Sequence, residues 1–147
     1  MEIDPSSEAK YRVKLSNEYL KRAKKFLTTG DWKESAEASQ LSAENAAKAI
    51  IAIKRIPSWT HDPSHELKEI INEFSEDLRN LILELASIVH ELAPEHILIS
   101  YGKPDEGLTP WDIYNEEKAK LLFNKAKRAN EIMNKIIKRE FGYATSQ

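Results

Sequence analysis

Proline and glycine divide this chain into long intervals that contain neither residue. The prolines are Pro5, Pro57, Pro63, Pro94, Pro104 and Pro110, and the glycines are Gly30, Gly102, Gly107 and Gly142. Inside the intervals, apolar residues recur every three to four positions, which predicts amphipathic helices. No run of alternating β-branched residues is bounded by turn signals, so no strand is expected. The sequence therefore predicts an all-α fold.

The first half of the chain contains two predicted helices. The first begins at the cap Asp4-Pro5 and ends at Thr29-Gly30. The second begins at Asp31, where Glu34 completes a capping box, and extends to about Arg55. Its inward face is small and consists of Ala36, Ser39, Ala43, Ala46, Ala47 and Ile50. Small side chains permit close approach of neighbours, so we expect this helix at the centre.

The second half follows a connector over residues 57–63. A helical interval capped by Asp62 or Ser64 continues to Leu92, as one helix or as two with a break near residues 75–77. A short segment over 94–99 and a loop over 100–110 precede a final helix, which opens near Thr109-Pro110 or Asn115. Mostly short connections favour an up-and-down antiparallel bundle of four to five helices in a single domain, residues 1–147.

The three tryptophans lie at predicted helix starts or in connectors, at Trp32, Trp59 and Trp111. We expect their large side chains to anchor loops onto the ends of the bundle.

Composition excludes several protein classes. The chain has 22 basic and 24 acidic residues and a net charge of −2, so it is not a generally basic nucleic-acid wrapper. It has no cysteine, which excludes disulfides and thiolate sites. No run approaches the ~18 apolar residues of a membrane span, and the N-terminus lacks a signal-peptide pattern, so we expect no membrane association and a cytoplasmic location. Scarce glutamine and abundant Lys, Glu and Ile are typical of thermophile proteins.

Charge is distributed unevenly along the chain. Residues 66–106 contain ten acidic and three basic side chains, whereas the end of the first helix and the whole last helix are lysine-rich. One interpretation is that these are solvated helix faces with cations near helix C-termini. The other is that the first and last helices form a basic ridge that meets RNA phosphates or an acidic patch of a partner.

Three motifs occur in order: Gly30-Asp31-Trp32, then Ala43-Glu44 with Lys48-Ala49, then His65-Glu66-Leu67, and they are followed by the loop Ser100-Tyr101-Gly102-Lys103-Pro104-Asp105. Together these motifs resemble the HEPN domain family. The resemblance extends over roughly residues 7 to 140. It implies a compact bundle, commonly a homodimer, that binds nucleotide or RNA or pairs with a minimal nucleotidyltransferase. One branch of the family consists of metal-independent ribonuclease toxins with an Arg-x(4–6)-His motif.

Arg55 and His61 match the ribonuclease spacing, because five residues separate them. Histidine could move a proton at the 2′-hydroxyl while arginine stabilises the phosphorane. Pro57 and Pro63 place this pair in a connector, however, whereas the family motif lies later in the bundle. We therefore predict no catalytic residues. A ribonuclease toxin remains an alternative.

A metal site is a second possibility at the connector. His61, Asp62, His65 and Glu66 include His-x3-His spacing, but Pro63 places His61 outside the helix that would align the two histidines. We interpret these residues as polar groups around a helix start and predict no metal and no cofactor.

The candidate nucleotide-binding residues are Lys48, His65, Tyr101 and Lys103. We expect them where the ends of the second and third helices approach the loop over 100–105, with cations for phosphate and the tyrosine for base stacking. Lys48 and His65 could instead be half-buried structural residues. The sequence thus favours a non-catalytic HEPN-type module that binds nucleotide or RNA, or pairs with a minimal nucleotidyltransferase in a toxin–antitoxin-like system. A purely structural dimerisation module is a further alternative.

Overall fold

The computed structural model describes residues 5–142 and confirms the all-α bundle. Its seven α-helices are α1 (Pro5–Thr29), α2 (Trp32–Lys54), α3 (Ser64–Ile70), α4 (Glu76–Leu92), α5 (Glu95–Tyr101), α6 (Pro110–Ile113) and α7 (Glu116–Phe141). Single 3₁₀ turns lie at Ile71–Glu73 and Pro104–Glu106. The four long helices are those that periodicity predicts, and the short α3, α5 and α6 lie between them. No strand occurs within residues 5–142, where the only β-bridge pairs Lys103 with Leu108.

α2 lies at the centre of the bundle, as its small residues predict. Its alanines from Ala36 to Ala52 are buried, and α1, α4 and α7 all pack against it. The close approach of α1 is visible in a reciprocal pair of hydrogen bonds. Ser16 Oγ donates to the Ser42 carbonyl at 2.9 Å and Ser42 Oγ donates to the Ser16 carbonyl at 2.8 Å. Larger side chains at these positions would force the two helices apart.

The helix starts follow the predictions in the second half of the chain. Asp62 Oδ1 accepts hydrogen bonds from the backbone N–H and hydroxyl of Ser64, the first residue of α3, although Pro63 occupies the capping position itself. Thr109 forms a capping box with Asp112 at α6, and Asn115 caps α7, so both predicted starts of the final segment are used. The predicted break near residues 75–77 is also present, because α4 begins at Glu76.

The predicted capping box of α2 is wrong. Asp31 makes no side-chain capping bond; its carboxylate instead accepts a hydrogen bond from the Thr29 hydroxyl at 2.5 Å. Glu34 accepts one from the Trp111 indole N–H at 3.1 Å, which ties α2 to α6. A hydrogen bond from a residue 77 positions away thus takes the place of the predicted capping bond at the start of α2. Asp4, the predicted cap of α1, lies outside the described residues.

Ion pairs join the acidic α4 to the basic α7. The Arg128 guanidinium meets both carboxylate oxygens of Glu84 at 2.7 and 2.8 Å. Lys125 pairs with Glu91 at 2.5 Å and Arg139 with Asp77 at 2.6 Å. Part of the uneven charge in the sequence is therefore neutralised between these two helices. No helix between residues 5 and 142 combines the length and the apolar character that crossing a bilayer requires.

Candidate functional site

A buried carboxylate on α2 organises the polar site of this bundle. The Glu44 side chain is only 7% exposed, and Lys48 Nζ donates to its Oε2 at 3.1 Å. Gln40 Nε2 donates to Oε1 at 3.1 Å. Because Gln40, Glu44 and Lys48 are four residues apart in sequence, they occupy one face of α2. The result is a charged group whose hydrogen-bonding capacity is largely satisfied inside the protein.

The connector over residues 55–63 closes over this carboxylate through His61. Its Nδ1 lies 3.0 Å from Glu44 Oε1, and its ring stacks on that of His96 with a centroid distance of 3.7 Å and an interplanar angle of 21°. His96 belongs to α5, so the two rings join the connector to α2 and α5. We call the group of Gln40, Glu44, Lys48, His61 and His96 the Glu44 cluster.

The charge of Glu44 is stabilised by its neighbours. Burial is the largest single influence and would raise the pKa of the carboxyl, but the hydrogen bond from Gln40, the charge of Lys48 and the contact with His61 together outweigh it. The pKa therefore lies below the ordinary value of 4.5. Near neutral pH the cluster contains a carboxylate facing an ammonium group, and not a neutral acid.

This lowered pKa predicts acid sensitivity. A carboxyl whose folded-state pKa is depressed stabilises the fold above its unfolded-state value of 4.5 and loses that contribution as pH falls through the lower folded-state pKa. We expect the melting temperature to fall below about pH 4.5, and the fall to be shallower in Glu44→Gln. Thermal melts from neutral pH down to about pH 3 measure this. Glu37→Gln, on the same helix but with a side chain that is 47% exposed, is the control; an identical profile for Glu44→Gln and the wild type would contradict the prediction.

The four predicted nucleotide contacts have different environments. Lys48 is buried in the Glu44 cluster, whereas the His65 side chain is 86% exposed and lies 3.3 Å from Glu69. Tyr101 is 72% exposed at the end of α5, and the exposed Lys103 pairs through its backbone with Leu108. Among the described residues, no hydrogen bond, ion pair or ring contact joins any two of the four. The alternative that these side chains are structural fits Lys48, which is buried. It does not fit His65, which is exposed.

Arg55 and His61 are bound to different carboxylates. The Arg55 guanidinium lies 3.3 Å from Glu66 and contacts Glu69 more closely still, and both acids are on α3. His61 is held by Glu44 on α2. The pair that matches the ribonuclease spacing is therefore divided between two sets of partners, in the connector that the prolines indicate.

The residues considered as metal ligands are likewise dispersed. Asp62 contacts Ser64 and, at 2.8 Å, His90, while Glu66 accepts hydrogen bonds from the backbone N–H and hydroxyl of Ser58. Within residues 5–142, no three potential metal ligands are grouped so that they could hold an ion. These polar side chains fasten the connector to α3 and α4.

Sequence reasoning missed Gln40, Glu44 and His96 as members of one site. A local signal existed for α2, where polar residues recur every four positions on a helix that is otherwise rich in alanine. The stacking of His61 on His96 has no such signal, because it depends on how the connector folds back onto α5. The prediction that the tryptophans anchor loops is wrong for Trp59, which is fully exposed.

Comparisons with known proteins agree with this fold. The family model described as "HEPN domain" matches residues 9–138. "Putative toxin MJ1304" of Methanocaldococcus jannaschii is 25% identical over 138 residues, and the alignment covers 91% of each chain. The crystal structure of TT1696 from Thermus thermophilus superposes with a TM-score of 0.63 at 18% identity, covering 86% of this chain and 96% of that one. Because TT1696 is only 18% identical to this chain, its similarity shows a shared fold and nothing more.

Proposed function

Because this chain belongs to the HEPN domain family, we propose that it is a single-domain, non-catalytic HEPN module of a toxin–antitoxin-like pair. Its partner in this proposal is a minimal nucleotidyltransferase, and its ligand is a nucleotide or RNA. The toxin-type assignment is supported by the name of the Methanocaldococcus relative, which aligns over nearly the full length of both chains.

The observation that carries the non-catalytic assignment is that Arg55 and His61 are bound to different carboxylates. Cleavage at a 2′-hydroxyl needs a proton acceptor and a cation directed at the same phosphate. Here the imidazole is held by Glu44 and stacked on His96, while the guanidinium is held by Glu66 and Glu69. Bringing both to one phosphate would require the contacts of Arg55 with Glu66 and Glu69, and those of His61 with Glu44 and His96, to break.

The proposed nucleotide site lies around the exposed end of α5. Tyr101 offers an exposed aromatic ring for a base and Lys103 offers an ammonium group for phosphate, while His65 lies on a different helix, α3, beside Glu69. Lys48 has a different role, because its ammonium is already bound to Glu44. We assign it to holding the carboxylate that positions His61 and, through the ring stack, α5.

The exposed connector supports a protein contact in addition. Trp59 is fully exposed and Ile56 is 44% exposed, and large apolar side chains of this kind are typical of interfaces. We propose that this surface forms a cytoplasmic homodimer or contacts the nucleotidyltransferase. Co-expression of a tagged chain with the minimal nucleotidyltransferase of the same genome tests the second contact. Co-purification that Trp59→Ser abolishes would support it.

A nucleotide-induced shift in melting temperature tests the ligand part. At about 100 times the dissociation constant, a ligand stabilises the fold by about 2.7 kcal/mol, which is roughly 5–10 °C for a chain of this size. We expect such a shift with ATP or GTP, and a shift at most about half as large in Tyr101→Ala and Lys103→Ala. Lys68→Ala, at another exposed lysine, is the control. No shift with either nucleotide, or equal shifts in all variants, would contradict the site.

A further inference from the structure

Helices α1 and α7 enclose a groove of about 960 Å³ on a part of the surface that the proposed nucleotide site does not use. Its apolar lining includes Tyr11, Leu15, Leu20 and Phe123. Tyr11 is 56% exposed and the other three are partly buried. Concave surface lined by apolar side chains together with a few polar groups is the usual form of a binding site.

The sequence of α1 shows why this surface is left over. Ala9, Val13 and Ala23 face the core, where all three are buried. Tyr11 and Leu15 are four residues apart and therefore form a second apolar stripe on another face of the same helix. No described helix covers this second stripe, since both residues retain exposure.

The groove is also preformed. Asn17 Oδ1 accepts hydrogen bonds from Asn130 Nδ2 at 2.8 Å and from Asn134 Nδ2 at 3.3 Å, and Asn130 Nδ2 also lies 3.0 Å from Ser16 Oγ. These bonds fix α1 against α7 along the groove lining. A ligand would therefore meet two helices already held at their final separation, which lowers the entropic cost of binding.

Positive charge surrounds the apolar lining. Lys14, Lys21, Lys24 and Lys127 line the groove, against a single carboxylate, Glu18, which pairs with Arg22 at 3.0 Å. Within residues 5–142 none of these four lysines forms an ion pair, in contrast to Lys125, Arg128 and Arg139 on the α4 side of α7. The chain as a whole has a net charge of −2, so this groove is a local exception.

We propose that the groove between α1 and α7 binds an acidic amphipathic helix of a partner protein. A helix laid between two others buries its apolar stripe at an interaxial distance of about 8–10 Å, and its flanking carboxylates would meet the rim lysines. The segment from Tyr11 to Lys24 is about 20 Å long, which corresponds to a partner helix of about 14 residues. The groove and the nucleotide site involve different helices. An experiment can therefore refute one of the two proposals and leave the other standing.

A second copy of this chain fits the groove poorly. A symmetric pairing of two grooves would place the lysine rims against each other. The chain's own acidic helix, α4, cannot fill the groove either, because its apolar residues Leu78, Ile82 and Leu85 are buried in the core. Single-stranded RNA is disfavoured because no arginine lines the groove and, of its two aromatic rings, only Tyr11 is more than half exposed.

The test uses two synthetic peptides of about 14 residues, one with a leucine stripe flanked by glutamates and one with lysines in place of the glutamates. We expect the acidic peptide to bind at least about tenfold more tightly, with an affinity that falls as salt rises. Lys21→Glu with Lys24→Glu should weaken its binding about tenfold or more, and Tyr11→Ser should weaken it as well. The control, Lys135→Glu with Lys138→Glu, makes the same charge change on α7 outside the groove and should retain binding. Fluorescence anisotropy measures each affinity.

Four outcomes would overturn the proposal. Equal binding of the two peptides, or equal binding to the groove and control variants, would show that the groove does not select an acidic helix. Binding of a single-stranded RNA oligonucleotide that only the groove variants abolish would identify a nucleic-acid surface. A dimer in sedimentation that the groove variants dissociate would identify a second copy as the occupant. Circular dichroism confirms that each variant is folded.

Discussion

Replacing Glu44 by alanine is expected to lower the free energy of unfolding by about 3–5 kcal/mol, because it leaves the buried Lys48 ammonium without its counter-ion. Gln40 and His61 would lose their acceptor in the same step. The matched control lies on the same helix. Glu37 pairs with Lys33 at 3.3 Å, also four residues apart, but its side chain is 47% exposed. Glu37→Ala should therefore cost only about 0.5 kcal/mol or less.

Urea denaturation of the two variants and the wild type measures this difference. A double variant, Glu44→Leu with Lys48→Met, separates buried charge from lost packing. Because it removes both charges and keeps most of the volume, it should recover much of the stability that Glu44→Ala loses. Similar losses in the free energy of unfolding for Glu44→Ala and Glu37→Ala would contradict this prediction. They would mean that the buried ion pair contributes no more to stability than the partly exposed one. The milder Glu44→Gln gives the same comparison if the alanine variant does not fold.

The second large effect is expected at Gly102, between Tyr101 and Lys103. Gly102 has a φ of +65°, and a Cβ atom there would lie 2.3 Å from the carbonyl oxygen of Leu108. That oxygen accepts the Lys103 backbone N–H at 2.8 Å, so it cannot move without opening the loop. Gly102→Ala combines a left-handed backbone with a backbone clash, and we expect it to cost about 3 kcal/mol or more.

Gly107 provides the control for this loop. Its φ is +69°, but a Cβ atom there would have no neighbour within 4 Å. Gly107→Ala should therefore cost only about 1 kcal/mol, which reflects the positive φ alone. Thermal and urea unfolding measure both variants. Equal losses would show that the contact with Leu108 does not constrain the loop that carries Tyr101 and Lys103.

Local patterns predicted the helices well. Proline, glycine and apolar spacing act over a few residues, so the breaks at Gly30, Pro57 and Pro94 could be read directly from the sequence. The central position of α2 followed from its alanines, since only small side chains allow neighbouring helices to approach so closely. Family motifs, read in order, identified the HEPN fold before any contact was known.

Contacts between distant residues could not be predicted in the same way. The sequence predicts a local cap for Glu34, but the Trp111 indole reaches it from α6. Spacing along the chain relates His61 to Arg55, yet the partners of His61 are Glu44 and His96, which are 17 and 35 residues away. Such pairs form when helices pack, and periodicity along one helix does not contain that information.

RNA cleavage by the purified protein in the presence of a metal chelator tests the central claim most directly. The account predicts that single-stranded RNA stays intact, and that Arg55→Ala and His61→Ala leave the result unchanged, because each side chain is bound to its own carboxylates. Cleavage by the wild-type protein that either substitution abolishes would contradict it, and would show that Arg55 and His61 leave those partners to act together on one phosphate.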